Sequence, residues 1–150
     1  MDEQSELPEK LTSDLRPIQI LTLRVAAFRR GDFGIIYDTY HPDSFFREQF
    51  PDRFDYMQFG WAHLRRDFRI LHCRVLRRRQ VSPQEIHLIF HQVINASGQQ
   101  METLEMGRFY RTEKGWRFHS SQKMEREEFA GPVEEIDFPV FDRIPHKVYF

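Results

Sequence analysis

Followed from the N-terminus, the first periodic run of apolar residues is Leu15, Ile18, Leu21, Val25 and Phe28, spaced three or four apart. That spacing lays one stripe along a helix. Ser13 or Asp14 can cap its start, Arg29 and Arg30 suit the negative end of its dipole, and Gly31 can take the left-handed stop. Asp32 then caps a short helix carrying Phe33, Ile36, Tyr37 and Tyr40, which Pro42 ends, and an irregular turn occupies 43–50. Met57, Trp61, Leu64 and Phe68 predict one more amphipathic helix.

From Arg69 the period falls to two. Leu71, Cys73 and Val75 alternate with His72 and Arg74, and Ile86, Leu88 and Phe90 alternate with His87, Ile89 and His91. Turn residues fill 81–84 and 95–98, and two further strands cover about 100–111 and 116–124. Helices followed by a four-stranded meander are an α+β order, with helices packed on one sheet face. Beyond Gly131-Pro132 come Ile136, Phe138, Val140, Phe141 and Ile144, among three prolines that argue against a central strand. The expected division is a flexible lead-in over 1–11, one domain over 12–130, and an extension over 131–150 that packs on the domain or on a partner subunit.

The stretch from Leu104 to His119 is the most structured by pattern. Glu113-Lys114-Gly115 fits a three-residue hairpin turn with Gly115 at positive φ. Tyr110 then opposes Phe118, Thr112 opposes Trp116 and Met106 opposes Gln122. The inward face becomes Leu104, Met106, Tyr110, Trp116, Phe118 and Met124, and the outward face pairs Glu105 with Lys123 and Phe109 with His119. Arg108 breaks the inward face. It either pairs or snorkels at the sheet margin, or anchors an anionic group at a pocket mouth.

Tyr40-His41-Pro42 after the second helix, and Glu105-x-x-Arg108-Phe109-x-Arg111 followed by Trp116-x-Phe118, resemble the middle domain of the bacterial YchJ-type proteins, within the NTF2-like (SnoaL-like) superfamily. The resemblance covers roughly 15–123. It implies an NTF2-like cone, with N-terminal helices packed on a curved, mainly antiparallel sheet around a cavity, and a homodimer through the sheet face. Leu104 stands where the family usually has His, Gly107 where it has Ser, and the family's cysteine-rich metal-binding ends have no counterpart here.

A length of 150 residues fits one domain with a substantial core, and an aromatic share of 15%, including 15 Phe, suits a core or cavity walled by rings. Net charge is −1, so no global field points to nucleic acid or membrane. Seven arginines between Arg65 and Arg79 form either a charged strand edge or, less in keeping with the pattern, an RNA or anion surface. The single cysteine, Cys73, excludes an internal disulfide and reads as a buried thiol. No apolar run reaches membrane-span length and the acidic start lacks signal-peptide character, so a cytoplasmic setting is expected.

His87 and His91 would stand about 13 Å apart along a strand, too far to share a metal. Single histidines, His41 among them, read first as helix-end or packing residues. Glu85 and Glu105 fall opposite the apolar face, and no nucleophile elbow, phosphate loop or dinucleotide fingerprint is present. No catalytic residue, cofactor or metal is therefore expected. The expectation is a small-molecule-binding or protein-interaction module with an apolar cavity of a few hundred cubic ångströms, on the order of small ligand pockets. Its wall would be Tyr37, Tyr40, Trp61, Phe90, Tyr110 and Phe118, with Arg108 and His41 as polar members, holding a small hydrophobic or anionic ligand. The alternative is a lyase, isomerase or hydrolase on a small hydrophobic substrate, using a cavity His, carboxylate or Arg.

Overall fold

Four long antiparallel strands, β1 (Phe68–Ser82), β2 (Glu85–Ala96), β3 (Gln99–Thr112) and β4 (Gly115–Glu125), pair in chain order, and a short β5 (Val148–Tyr149) pairs with β4 at Ser121 and Gln122. The computed structural model describes residues 8–143 and the backbone of Val148 and Tyr149; Ile144 of the expected apolar tail lies outside the described residues. Before the sheet come α1 (Pro17–Arg30), α2 (Phe33–Thr39), α3 (Phe45–Gln49), α4 (Arg53–Phe59) and α5 (Arg65–Asp67), and after it α6 (Phe138–Asp142).

Helix α1 begins later than Ser13 or Asp14 would start it. Arg16, held extended before a proline, is the N-cap, and Pro17 takes the first helical position, where a missing N–H costs nothing. Gly31 closes the helix at φ 73°, with Asp32 N–H donating to Ala27 O at 2.8 Å. The buried stripe is rotated from the expected one. Ile20, Leu23 and Ala27 are fully enclosed, and Arg24 shares their face.

Between α4 and α5 the chain winds as a π turn over Gly60–Leu64. Its extra residue turns the following side chains about the axis. Gly60 therefore meets Phe33, where an added Cβ would lie 2.4 Å from a ring atom. Trp61, expected in the pocket wall, is instead 53% exposed, with the Arg65 guanidinium 4.2 Å from its ring centroid.

The sheet is apolar on both faces. On the helix side Ile86, Leu88, Phe90, Phe109 and Phe118 pack with Ile20, Leu23, Phe33 and Ile36. On the other side Ile89, Leu104, Met106 and Met124 lie under Ile136, Phe138 and Phe141. A register break between Ile70 and His72 makes Ile70, not Leu71, the inward residue of β1; Leu71 is exposed.

The closing hairpin departs from the expected turn. Thr112 pairs with Gly115 across a two-residue loop, and the extra residue sits further on, at His119, between the pairs Arg108–Ser120 and Phe109–Phe118. Beyond that bulge the expected pairs Met106–Gln122 and Glu105–Lys123 hold. The bulge transfers Phe118 to the helix side with Phe109, and leaves Leu104, Met106, Arg108 and Met124 on the other. The presumed outward pair, Glu105 and Lys123, alternates with these residues and faces the helices.

Three arginines of β1 tie down the segment after β4. Arg74 meets Glu134 at 2.9 Å, Arg77 Nε donates to Ile136 O at 3.1 Å, and Arg79 grips both carboxylate oxygens of Asp142 at 3.0 and 3.2 Å. Part of the arginine-rich run is thus a row of clamps.

Candidate functional site

A cavity of ≈ 180 Å³ lies between α1 and the helix side of the sheet, walled by Leu21, Phe28, Tyr40, Phe90 and Phe118, with Arg24, Gln92, Glu105 and Lys123 as its polar members. It is smaller and more polar than the sequence suggests. A second hollow of ≈ 160 Å³ flanks it beyond Leu21 and Val25.

Arg24 is 8% exposed. Its Nη1 donates to Thr39 Oγ1 at 2.8 Å and its Nη2 to Tyr40 Oη at 3.2 Å, and the guanidinium lies 4.5 Å from the Tyr40 ring centroid and 4.6 Å from that of Phe118. Hydrogen bonds and ring faces replace part of the water such a cation gives up on burial. The helix places it because position 24 falls among Ile20, Leu21 and Ala27 on the buried side.

Glu105 is 5% exposed. Gln92 Nε2 donates to its Oε2 at 3.3 Å, Thr103 and Ser121 hydroxyls also reach it, and Lys123 Nζ stands 3.9 Å from Oε1. Burial raises its pKa above the ordinary carboxylate value, and the attraction of Lys123 and Arg24 only partly offsets this. The cavity thus contains a fixed cation and an acid that retains its proton more tightly than usual. It can hold a small polar molecule, and the acid can exchange a proton with it.

The eight residues read from the sequence as a pocket are separated. Tyr40, Phe90 and Phe118 do line the cavity. Tyr37 lies beside it in an aromatic cluster with Phe46 and Tyr56, its hydroxyl donating to Phe50 O at 2.8 Å. Arg108 stands on the far side of the sheet, where its Nη2 donates to the Gln122 amide oxygen at 2.7 Å while that amide donates to Phe141 O at 2.7 Å. His41 and Tyr110 are not in the cavity lining; they gather with His119, the ring centroids 4.8 to 6.0 Å apart. Burial lowers the pKa of His41 and His119; the His41 ring adds to the lowering at His119, while at His41 the nearby Asp43 opposes it and Arg47 and Arg117 add to it. Asp43 N–H donates to His41 Nδ1 at 3.0 Å, which fixes that nitrogen as the acceptor of the neutral ring.

Arg24 and Glu105 escape the sequence reading for different reasons. Arg24 carries a signal, a charge set inside an apolar stripe. Glu105 is hidden because β3 is apolar on both faces, and it is the face of Glu105 and Phe109, not that of Leu104 and Met106, that meets the helices. His87, taken as a solvent-face residue, is enclosed beneath Phe138 and bonded to Glu85 and Arg79. The Cys73 thiol is pushed up to about 12, mainly by burial, which makes it a poor nucleophile.

No family model matches the sequence, and no curated protein does. Solved structures do resemble the fold. A SEC-C motif containing protein from Rhodopseudomonas palustris superposes with a TM-score of 0.55 at 19% identity, covering 73% of this chain and 79% of its own. A domain of unknown function with a cystatin-like fold from Nostoc punctiforme gives 0.53 at 10% identity over 84% and 88%. A putative Ca/calmodulin-dependent kinase II association domain from Exiguobacterium sibiricum gives 0.50 at 12% identity over 76% and 90%. At such identities the likeness shows the fold alone: an α+β, cystatin-like cone of helices packed on an antiparallel sheet.

Proposed function

We propose that the chain is an NTF2-like module that binds a small polar ligand in the cavity between α1 and the sheet. The carrying observation is that a buried guanidinium, Arg24, and a buried carboxyl, Glu105, line one hollow that the surrounding side chains leave unfilled. A ligand offering an acceptor to Arg24 and a donor to Glu105 fits this pairing, and an amide or hydroxy acid about the size of benzamide has both. The resemblance of the hairpin to YchJ-type proteins, and the fold likeness to a SEC-C motif protein, support this kinship. A lone, weakly reactive thiol suits a cytoplasmic setting.

The test is calorimetry of the full chain with benzamide and with benzoate. Benzamide should bind more tightly, Glu105→Gln and Arg24→Met should each weaken it roughly tenfold, corresponding to about 1.4 kcal/mol, and Val25→Phe should fill the hollow and abolish binding. Equal weak binding by wild type and all three variants would retire the reading. A second reading, a lyase, isomerase or hydrolase, is favoured by the raised pKa of Glu105 in the cavity, a property suited to a general acid. It requires turnover that Glu105→Gln abolishes while leaving ligand affinity within a few-fold.

We also propose a homodimer formed through the stretch of sheet that the described residues leave bare, around the exposed His72 and Glu102 and the adjoining His91. The name of the Exiguobacterium neighbour, an association domain, supports it. Light scattering that returns a monomer mass at every concentration would remove it.

A further inference from the structure

At the tip of the closing hairpin an open groove of ≈ 570 Å³ runs between the segment Leu11–Ser13, the loop that follows α2, and the β3–β4 turn. Gly115 allows this closeness: at φ 111° it leaves free the space where a Cβ would meet Ser13 O at 2.7 Å. Arg47, Lys114 and Arg117 all line the groove.

Arg117 is 9% exposed, yet among the described residues no carboxylate pairs with it; its Nη1 donates to Trp116 O at 2.8 Å. Arg47 is held in a similar way, Nε donating to Tyr37 O at 3.2 Å and the guanidinium 4.2 Å from the Tyr37 ring centroid. Asp38, the acid in the lining, is already engaged by both oxygens with Arg53, at 2.9 and 3.0 Å. Two guanidinium groups are therefore held by backbone carbonyls, with donors left over, and among the described residues the one acid in the lining, Asp38, is spent on Arg53. Burial and the nearby Arg47 charge lower the pKa of Arg117, with Asp38 opposing. Gathering like charges in a half-buried groove is unfavourable unless an anion neutralises them.

We propose that this groove is a phosphate site, taking the phosphoryl group of a small phosphate monoester between Arg47 and Arg117, with Lys114 at the mouth. Guanidinium forks match phosphate oxygens two at a time, and a dianion answers two fixed cations and one mobile one. Leu11, Tyr40 and Pro42 supply apolar wall for the organic part of the ester. The groove and the cavity share the Tyr40 ring but draw on different charged groups, Arg47, Lys114 and Arg117 here and Arg24 and Glu105 there, so loss of one ligand is distinguishable from loss of the other.

Titration of the full chain with phenyl phosphate, inorganic phosphate and benzoate tests the assignment. Phenyl phosphate should bind best, weakening as salt rises, with at least a tenfold loss in Arg47→Gln and in Arg117→Gln, a several-fold loss in Lys114→Gln, and no change in Arg78→Gln, which removes an exposed arginine of β1 outside the groove. Arg117 is buried, so the exposed Lys114 and the half-buried Arg47 keep the test open if Arg117→Gln does not fold. Equal affinity for phenyl and inorganic phosphate would overturn the monoester assignment. Absence of phosphate binding at millimolar concentration, or binding indifferent to both Arg47→Gln and Lys114→Gln, would overturn the site.

Discussion

Glu105 and the His41–His119 pair are both displaced from their ordinary titration ranges by loss of water, and the two displacements act on stability with opposite sign. The folded pKa of Glu105 is raised above its ordinary 4.5, so its contribution is fully present below that value and is lost as pH rises through the raised one. Glu105→Gln should therefore stabilise the chain at neutral pH, each recovered kcal/mol adding about 2–4 °C to Tm at this size. A lower Tm for the variant at pH 7 would contradict the argument. His41 and His119 have folded pKa values below the ordinary 6.5, so their contribution is present above it and is lost as pH falls through the lowered values. Between pH 7 and 5.5 the two histidines cost stability while Glu105 returns some, so the difference carries the test: the His41→Asn, His119→Asn double variant should gain on the wild type as pH falls, as read by urea midpoints across that window.

At the scale of elements, two one-residue insertions decide what faces where. The π turn at Gly60–Leu64 sends Trp61 outward and lays Gly60 on Phe33. Gly60→Ala should overpack that contact and cost about 1–3 kcal/mol in denaturant unfolding, whereas an ordinary helical Gly→Ala would stabilise. The bulge at His119 acts likewise on β4. Both explain what the sequence does and does not disclose. Periodicity shows helix, then meander, and the far half of the hairpin register, because those patterns are long and repeat. A single inserted residue has no pattern of its own and inverts every assignment after it. Glu105 is missed for another reason: Leu104 and Met106 on one face of β3 are as apolar as Phe109 on the other, so alternation does not tell which face the helices cover. Tyr40, Phe90 and Phe118 remain legible because rings beside helix ends or on alternating strand positions rarely have another place to go.

Across the whole molecule, the sheet needs cover on both faces. Ile136, Phe138 and Phe141 supply the second layer, held by Arg74, Arg77 and Arg79. Phe141→Ala should cost about 3–5 kcal/mol, as for other fully enclosed rings, and measurably less if that layer contributes little. The same arrangement places three of the run's seven arginines in service of the fold. It also imposes an order on synthesis. Every strand of the meander leaves the ribosome before the residues that roof its outer face. A nascent chain can pair β1 to β4 and seat its helices while Ile89, Leu104, Met106 and Met124 are still bare, so the final segment converts an adhesive intermediate into a finished domain.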